Sequence, residues 1–209
     1  MLAGVEIKLL SEREVLEHRL LSMAYPDAHL AVVLRAFPRF AKIYRIFDPD
    51  SLYWRRQRLI IGAFSAGEMV GTIAVQNSNP QQALEWSDAQ WESFFHHFSH
   101  EELNTYDTWN ASLWKTSLCA PENSYLMHSL SVAPSFRLTG LATKLIGMAI
   151  AELSQNEKKE LFVETARHRY LEKLFSKHGF RVVRKSFSFS EKLEYGQWGS
   201  ILMRHEADD

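Results

Sequence analysis

The chain of 209 residues has one cysteine, Cys119, and so cannot form an internal disulfide. It also lacks a surplus of either charge. With 24 Lys and Arg against 25 Asp and Glu, no basic excess is present to hold a nucleic-acid backbone or an anionic membrane by counterion release. Long apolar runs are missing too, since no segment approaches the roughly 18 residues that would propose a membrane span. The opening MLAGVEIKLLSERE becomes charged before a signal-like apolar stretch can develop. These absences lead to the expectation of a cytoplasmic protein with neither nucleic acid nor membrane among its partners. What is present is a core: hydrophobic residues make up 46% and aromatics 12%, sufficient at this length for one globular domain over 1–209.

VEIKLL reads as a first strand, followed by SEREVLEHRLLSMA, in which Ser11 and Glu14 fit a capping box. Pro26, Pro38 and Pro49 punctuate the next stretch, which reads as one or two short helices and a loop. RLIIGAFSAGEMVGTIAVQN contains two β-branched runs joined by Ser65-Ala66-Gly67-Glu68, a hairpin by length and composition. Residues 78–123 read as an insertion between the third and fourth strands, with four of the six tryptophans. Ser87 with Gln90 and Ser99 with Glu102 look like two helix starts there, and Trp91, Phe94, Phe95 and Phe98 follow helical spacing.

YLMHSLSV then reads as a strand, GLATKLIGMAIAELSQ as a helix, ELFVETA as a strand, and RYLEKLFSKHGF as a helix stopped by Gly179. RVVRKSFSF and GSILMRH close the chain as strands. With no repeat and no low-complexity segment, the fold class is α/β (α+β), a mixed but mostly antiparallel sheet with helices on its faces.

The junction SLSVAPSFRLTGLATKLI carries the chemistry. A strand that enters a helix through a glycine-containing turn leaves several backbone N–H groups aimed at one place, where the helix dipole also favours negative charge. Gly140 admits a phosphate without a Cβ in the way, Ala142 is the next smallest choice, and the Thr143 hydroxyl adds a donor. A single glycine at a helix start also serves simply to make a tight turn. The spacing matches neither the Lys-Ser/Thr nucleotide loop nor the three-glycine dinucleotide loop.

LSVAPSFRLTGLATKLI resembles the acetyl-CoA-binding motif of the GCN5-related N-acetyltransferases (GNAT), in which a Val-x-Pro segment leads into Arg/Gln-x-x-Gly-x-Gly/Ala. ELFVETA and LEKLFSKHGF resemble that family's next strand and helix, ending in Gly179 and Phe180. The resemblance implies a sheet splayed between its fourth and fifth strands, with acetyl-CoA in the slot. It implies that the backbone of Leu130, Ser131 and Val132 pairs with pantetheine and that Arg137, Leu138, Thr139, Gly140, Leu141, Ala142 and Thr143 hold the pyrophosphate. The stretch from His128 to Arg137 is closest to arylalkylamine N-acetyltransferase-like members, where a histidine at the matching position belongs to the proton path.

The implied activity is transfer of acetyl to the primary amine of a small molecule, arylalkylamine or polyamine, with a peptide or protein amine as the alternative acceptor. The amine must be neutral to attack, so a proton needs a route out, and the near-neutral intrinsic pKa of His128 suits that work. Strand alternation sets His128 on the face of Leu130 and Val132 unless a bulge intervenes. Glu164 is a second candidate base if it faces the slot, and otherwise a solvated carboxylate at a strand end. Many members carry a tyrosine four residues before the Gly-Phe glycine as general acid; this sequence has Phe175 there, which cannot donate a proton but can pack against the pantetheine arm. That departure also admits a non-catalytic acyl-CoA sensor.

His96 and His100 stand four apart with the predicted cap Ser99 between them and no third ligand at a clear spacing, so no metal is expected. Trp54 to Arg58 reads as a solvated basic edge or an acceptor contact, and Cys119 as a small buried hydrophobe. The last two strands can pair within the chain or with a second copy, giving a monomer or a homodimer.

Overall fold

The computed structural model describes residues 4–11, 13–14, 57–78, 88–114, 118–154, 159–187 and 199–206. In chain order the elements are β1 (Val5–Leu9), β2 (Gln57–Ser65), β3 (Glu68–Asn77), α1 (Asp88–Phe95), α2 (His100–Trp114), β4 (Tyr125–Val132), a 3-10 turn (Pro134–Phe136), α3 (Leu141–Ser154), β5 (Leu161–Ala166), α4 (Arg169–Ser176), β6 (Phe180–Lys185) and β7 (Ser200–His205). The proline-punctuated stretch of residues 15–50, the Ser87 helix start, and the side chains of Trp91 and Phe94 lie outside the described residues.

The local signals give the local structure. Ser11 N–H donates to Glu14 Oε2 at 2.9 Å and Glu14 N–H donates back to Ser11 Oγ at 3.3 Å, a reciprocal cap. Ser99 and Glu102 repeat it at 2.8 and 3.2 Å ahead of α2. Ala66 and Gly67 take φ of 50° and 82° in a two-residue loop between Ser65 and Glu68. Positive φ at both central positions is the type I′ geometry that matches strand twist. Gly179 at φ 79° ends the segment after α4.

The seven strands run in the order β1-β2-β3-β4-β5-β7-β6, all neighbours antiparallel except β4 and β5. One face carries the main core. Leu141, Leu145, Ile146, Ala149 and Leu153 of α3 are buried at helical spacing against Ile61, Ile73, Val75, Tyr125, Met127 and Val163, and Leu174 and Phe175 of α4 join the same cluster. Each fully buried aliphatic side chain there contributes about 1.5–3 kcal/mol relative to exposure. The other face has two smaller clusters, Ile60 with Ala74, and Leu118 with Phe162 and Leu202. Gly71 on β3 lets α3 approach closely: a Cβ there would stand 3.1 Å from both Leu141 Cδ2 and Leu145 Cδ1. Among the described residues no helix is long and apolar enough to cross a membrane.

The parallel pair is short. β4 and β5 pair at Tyr125–Leu161, Leu126–Phe162 and Met127–Val163 only. Beyond that point β4 stays with β3 as far as Val132, while β5 stays with β7 as far as Ala166. The two strands therefore part after three residues, and α3 starts at the end of the strand that leaves.

Candidate functional site

The wall of the opening is β4, and its geometry turns on a bulge. Thr72 pairs with Ser131 and Ala74 with His128, so two steps along β3 answer three along β4. Ser129 takes φ 53°, is 5% exposed, and its Oγ lies 2.8 Å from His128 Nδ1. The extra residue reverses the phase of the strand. Tyr125 and Met127 face the α3 core before it, and Leu130 and Val132 face the same core after it. His128 instead follows Leu126 onto the opposite face. Of the two arrangements the sequence allowed, the bulged one is present, and His128 is separated from Leu130 and Val132.

Glu164 arrives on that same opposite face from the other strand. It follows Phe162 on β5, pairs with Leu202 on β7, and lies one step past the last β4–β5 pair, as His128 does on β4. The structure thus brings the two candidate proton acceptors to the apex of the opening. Glu164 Oε1 accepts a hydrogen bond from Leu118 N–H at 2.8 Å, a tie that no sequence signal announced.

The far end of β4 forms the cradle. Ala133 N–H donates to Val70 O, making 133 and 70 the bonded pair and turning the N–H and C=O of Val132 away from β3, into the opening. The Arg137 guanidinium reaches back, its Nε donating to Val132 O at 3.2 Å. Arg137 N–H is occupied by Pro134 O, so the run of free donors begins one residue later than the sequence suggests. Among the described residues the amides of Leu138, Thr139, Gly140, Leu141, Ala142 and Thr143 have no protein acceptor. Leu138 at φ 63° and Gly140 at φ 90° bend the chain so that these amides converge. Thr139 Oγ1 fastens the turn by donating to Phe136 O at 2.6 Å. A Cβ built on Gly140 would meet nothing within 4 Å, so the glycine is there for backbone conformation and for what approaches from outside. Leu141 itself is 1% exposed; its amide belongs to the cradle and its side chain to the core.

These features fit a pyrophosphate-bearing thioester: converging free amides at a helix N-terminus, a strand edge turned into a slot, and titratable groups at the apex. The remaining sequence candidates separate from them. Phe175 is 3% exposed, with its ring edge-on to Phe180 at 5.5 Å. Cys119 corrects an expectation: it is exposed rather than buried, because its neighbour Leu118 takes the inward place in the small cluster with Phe162 and Leu202.

Residues 115–191 match the family model of the acetyltransferase (GNAT) domain. No curated protein matches the chain in sequence. Among solved structures, an IAA acetyltransferase from Bacillus cereus superposes over 97% of this chain and 99% of its own, at 15% identity and a TM-score of 0.55. A GNAT family acetyltransferase from Elizabethkingia anophelis with acetyl-CoA bound covers 98% and 99% at 14% identity and a TM-score of 0.53. The histone acetyltransferase HPA2 and related acetyltransferase of Corynebacterium glutamicum covers 99% and 98% at 13% identity and a TM-score of 0.56. At these identities the likeness is one of fold. The seven-stranded mixed sheet with its one parallel pair is the fold shared with them, as the resemblance implied.

Proposed function

Residues 115–191 match the family model of the acetyltransferase (GNAT) domain, and on that likeness we propose that the chain transfers an acetyl group from acetyl-CoA to the primary amine of a small molecule. The observation that carries the reading is the run of six amides from Leu138 to Thr143 that have no acceptor among the described residues, beside a sheet that opens after three parallel pairs. Acetyl-CoA would supply the activated acetyl thioester. The amides of the turn would hold its pyrophosphate, each charge-assisted bond worth about 1.5–3 kcal/mol. The outward N–H and C=O of Val132, and the backbone of Leu130 and Ser131 next to the bulge, would line its pantetheine arm, with the Arg137 guanidinium leaving Val132 O to make room.

His128 is the proton acceptor in this reading. It sits at the apex, with its Nδ1 2.8 Å from Ser129 Oγ. The α3 face beneath the apex is filled, with Leu145, Ile146 and Met127 at 0% exposure, so an amine reaches the apex from the face that bears His128 and Glu164. An acceptor is a cation before it gives up its proton. Residues 78–123, which enter and leave on that side, hold seven acidic and one basic residue, a balance that draws amines inward. Phe175, in the position of the usual tyrosine acid, packs in the core, and protonation of the departing thiolate falls to water.

The test is release of coenzyme A from acetyl-CoA across arylalkylamines, polyamines, amino acids and short peptides between pH 6 and 9. Turnover of one small-amine class, falling as a group near neutrality takes up a proton, supports the reading. Turnover of peptides alone moves the acceptor to a protein amine. Tight acetyl-CoA binding with no turnover of any amine makes the chain an acyl-CoA sensor.

A further inference from the structure

We infer that Glu164 is a positioning residue that builds the acceptor side of the site, holding the return of the β3–β4 segment across the apex of the sheet; the inference rests on the function proposed above. The segment from residue 79 to residue 117 leaves and rejoins the sheet at one neck. There Ser78 N–H donates to Ser124 O at 2.9 Å, Ser124 N–H donates back to Ser78 Oγ at 3.0 Å, and both hydroxyls donate to Pro121 O. Those bonds fix where the segment attaches. They do not fix where its returning limb lies.

That is set by one further tie. Leu118 N–H donates to Glu164 Oε1 at 2.8 Å across 46 residues of sequence. The Leu118 side chain, 7% exposed, then seats against Phe162 and Leu202, with Ala120 and Leu126 beside it. Leu118 to Ala120 therefore runs as a strap over β4, β5 and β7, on the face that His128 shares with Leu126 and from which the proposed acceptor approaches. An apolar contact slides; a carboxylate oxygen accepting an amide N–H has a direction, and it sets the register of the strap.

Two variants separate the roles, because glutamine keeps a side-chain oxygen for the Leu118 amide and alanine does not. In the full-length protein Glu164→Ala is expected to raise acceptor KM about 10-fold or more while kcat stays within about threefold, with acetyl-CoA affinity unchanged. Glu164→Gln is expected to restore KM. Amide hydrogen exchange at Leu118 gives a readout without turnover: protection lost in Glu164→Ala and kept in Glu164→Gln. Should Glu164→Ala fail to fold, Leu118→Pro removes the donor, leaves the carboxylate in place, and carries the same expectation. A loss of kcat in Glu164→Gln with KM unchanged would make Glu164 the base and overturn the inference. Lost protection with an unchanged acceptor KM would overturn it too, reducing the tie to a clip. If the parent protein turns over no amine while Leu118 exchanges as expected, the functional reading fails and only the clip remains.

Discussion

The cofactor half and the acceptor half of this site are built from different materials. The cofactor half, from Leu130 to Thr143, is backbone: free amides, a carbonyl turned outward by register, and two residues at positive φ. Its side chains point elsewhere, Leu141 into the core and Leu138 out to solvent at 88% exposure. The acceptor half is side chains: His128 of β4 beside Ser129, Glu164 of β5 holding the Leu118 amide, and an exposed Cys119 on the strap. A backbone cradle tolerates many sequences and binds one chemical group. A side-chain wall changes with every substitution, so under the proposed function the backbone half is the general part of the site and the side-chain half the specific one.

Breaking the cofactor half should have the largest effect. Gly140 stands at φ 90° with open space around it, so Gly140→Val strains only the backbone, by about 1–3 kcal/mol. Calorimetry should then show acetyl-CoA affinity falling by about 5- to 150-fold, with the melting temperature lowered by about 2–4 °C per kcal/mol of strain that remains in the unliganded fold. On the acceptor half, His128→Ala should lower kcat about 100-fold and flatten the acid limb of the pH–rate profile, while acetyl-CoA titrates as before. An unchanged kcat would remove His128 from the proton path.

Gly71 tests whether the halves are independent. Gly71→Ala brings a methyl to 3.1 Å from Leu141 Cδ2 and Leu145 Cδ1, and the overpacking should cost about 1–3 kcal/mol of stability. Because those leucines open α3, acetyl-CoA affinity should fall with it and acceptor KM should not. Phe175→Tyr is a smaller probe of the same boundary. With the ring 3% exposed against Phe180, a buried hydroxyl without a partner should cost about 1–3 kcal/mol in a denaturant melt; a gain in kcat would place the ring on the slot instead.

The smallest effect, and the one to subtract from the others, belongs to neither half. His178, whose Nε2 is buried without a hydrogen-bond partner, has its pKa lowered first by burial and then by the nearby His205. As pH falls below the ordinary value of 6.5, the unfolded chain takes up the proton before the folded one. Stability is therefore full above that pH, declines below it, and levels off only under the folded-state pKa. Melts from pH 8 to 5 should show this slope, and His178→Gln should reduce it. The window overlaps the acid limb assigned to His128, so the pair distinguishes lost folding from lost catalysis.

Most of the β4–α3 turn was legible because it is local. The caps at Ser11 and Ser99, the Ala66-Gly67 turn, the β4–α3 junction and the stop at Gly179 each depend on residues within a few positions, and those residue types act by the same physics wherever they occur. The acceptor half was legible only as a set of candidates. His128 and Glu164 could be named from their chemistry, but their faces could not, because a period-two strand pattern does not announce a bulge and Ser129 is not a residue that advertises positive φ. Cys119 was misjudged for a related reason, since burial at 118 or 119 was decided by a hydrogen bond to a carboxylate 46 residues away.

By itself, then, the sequence determined most of the described elements, the hairpin, the caps at Ser11 and Ser99 and the glycine turn before α3, because each is specified by the residues it is made of. Only the tertiary structure decided that β4 and β5 pair for three residues and part, that a bulge sends His128 to the face opposite Leu130, and that Glu164 meets Leu118. These are contests between strands for partners. Their outcome rests on long-range register and on which surfaces α3 has already filled, and neither is written in any one stretch of chain.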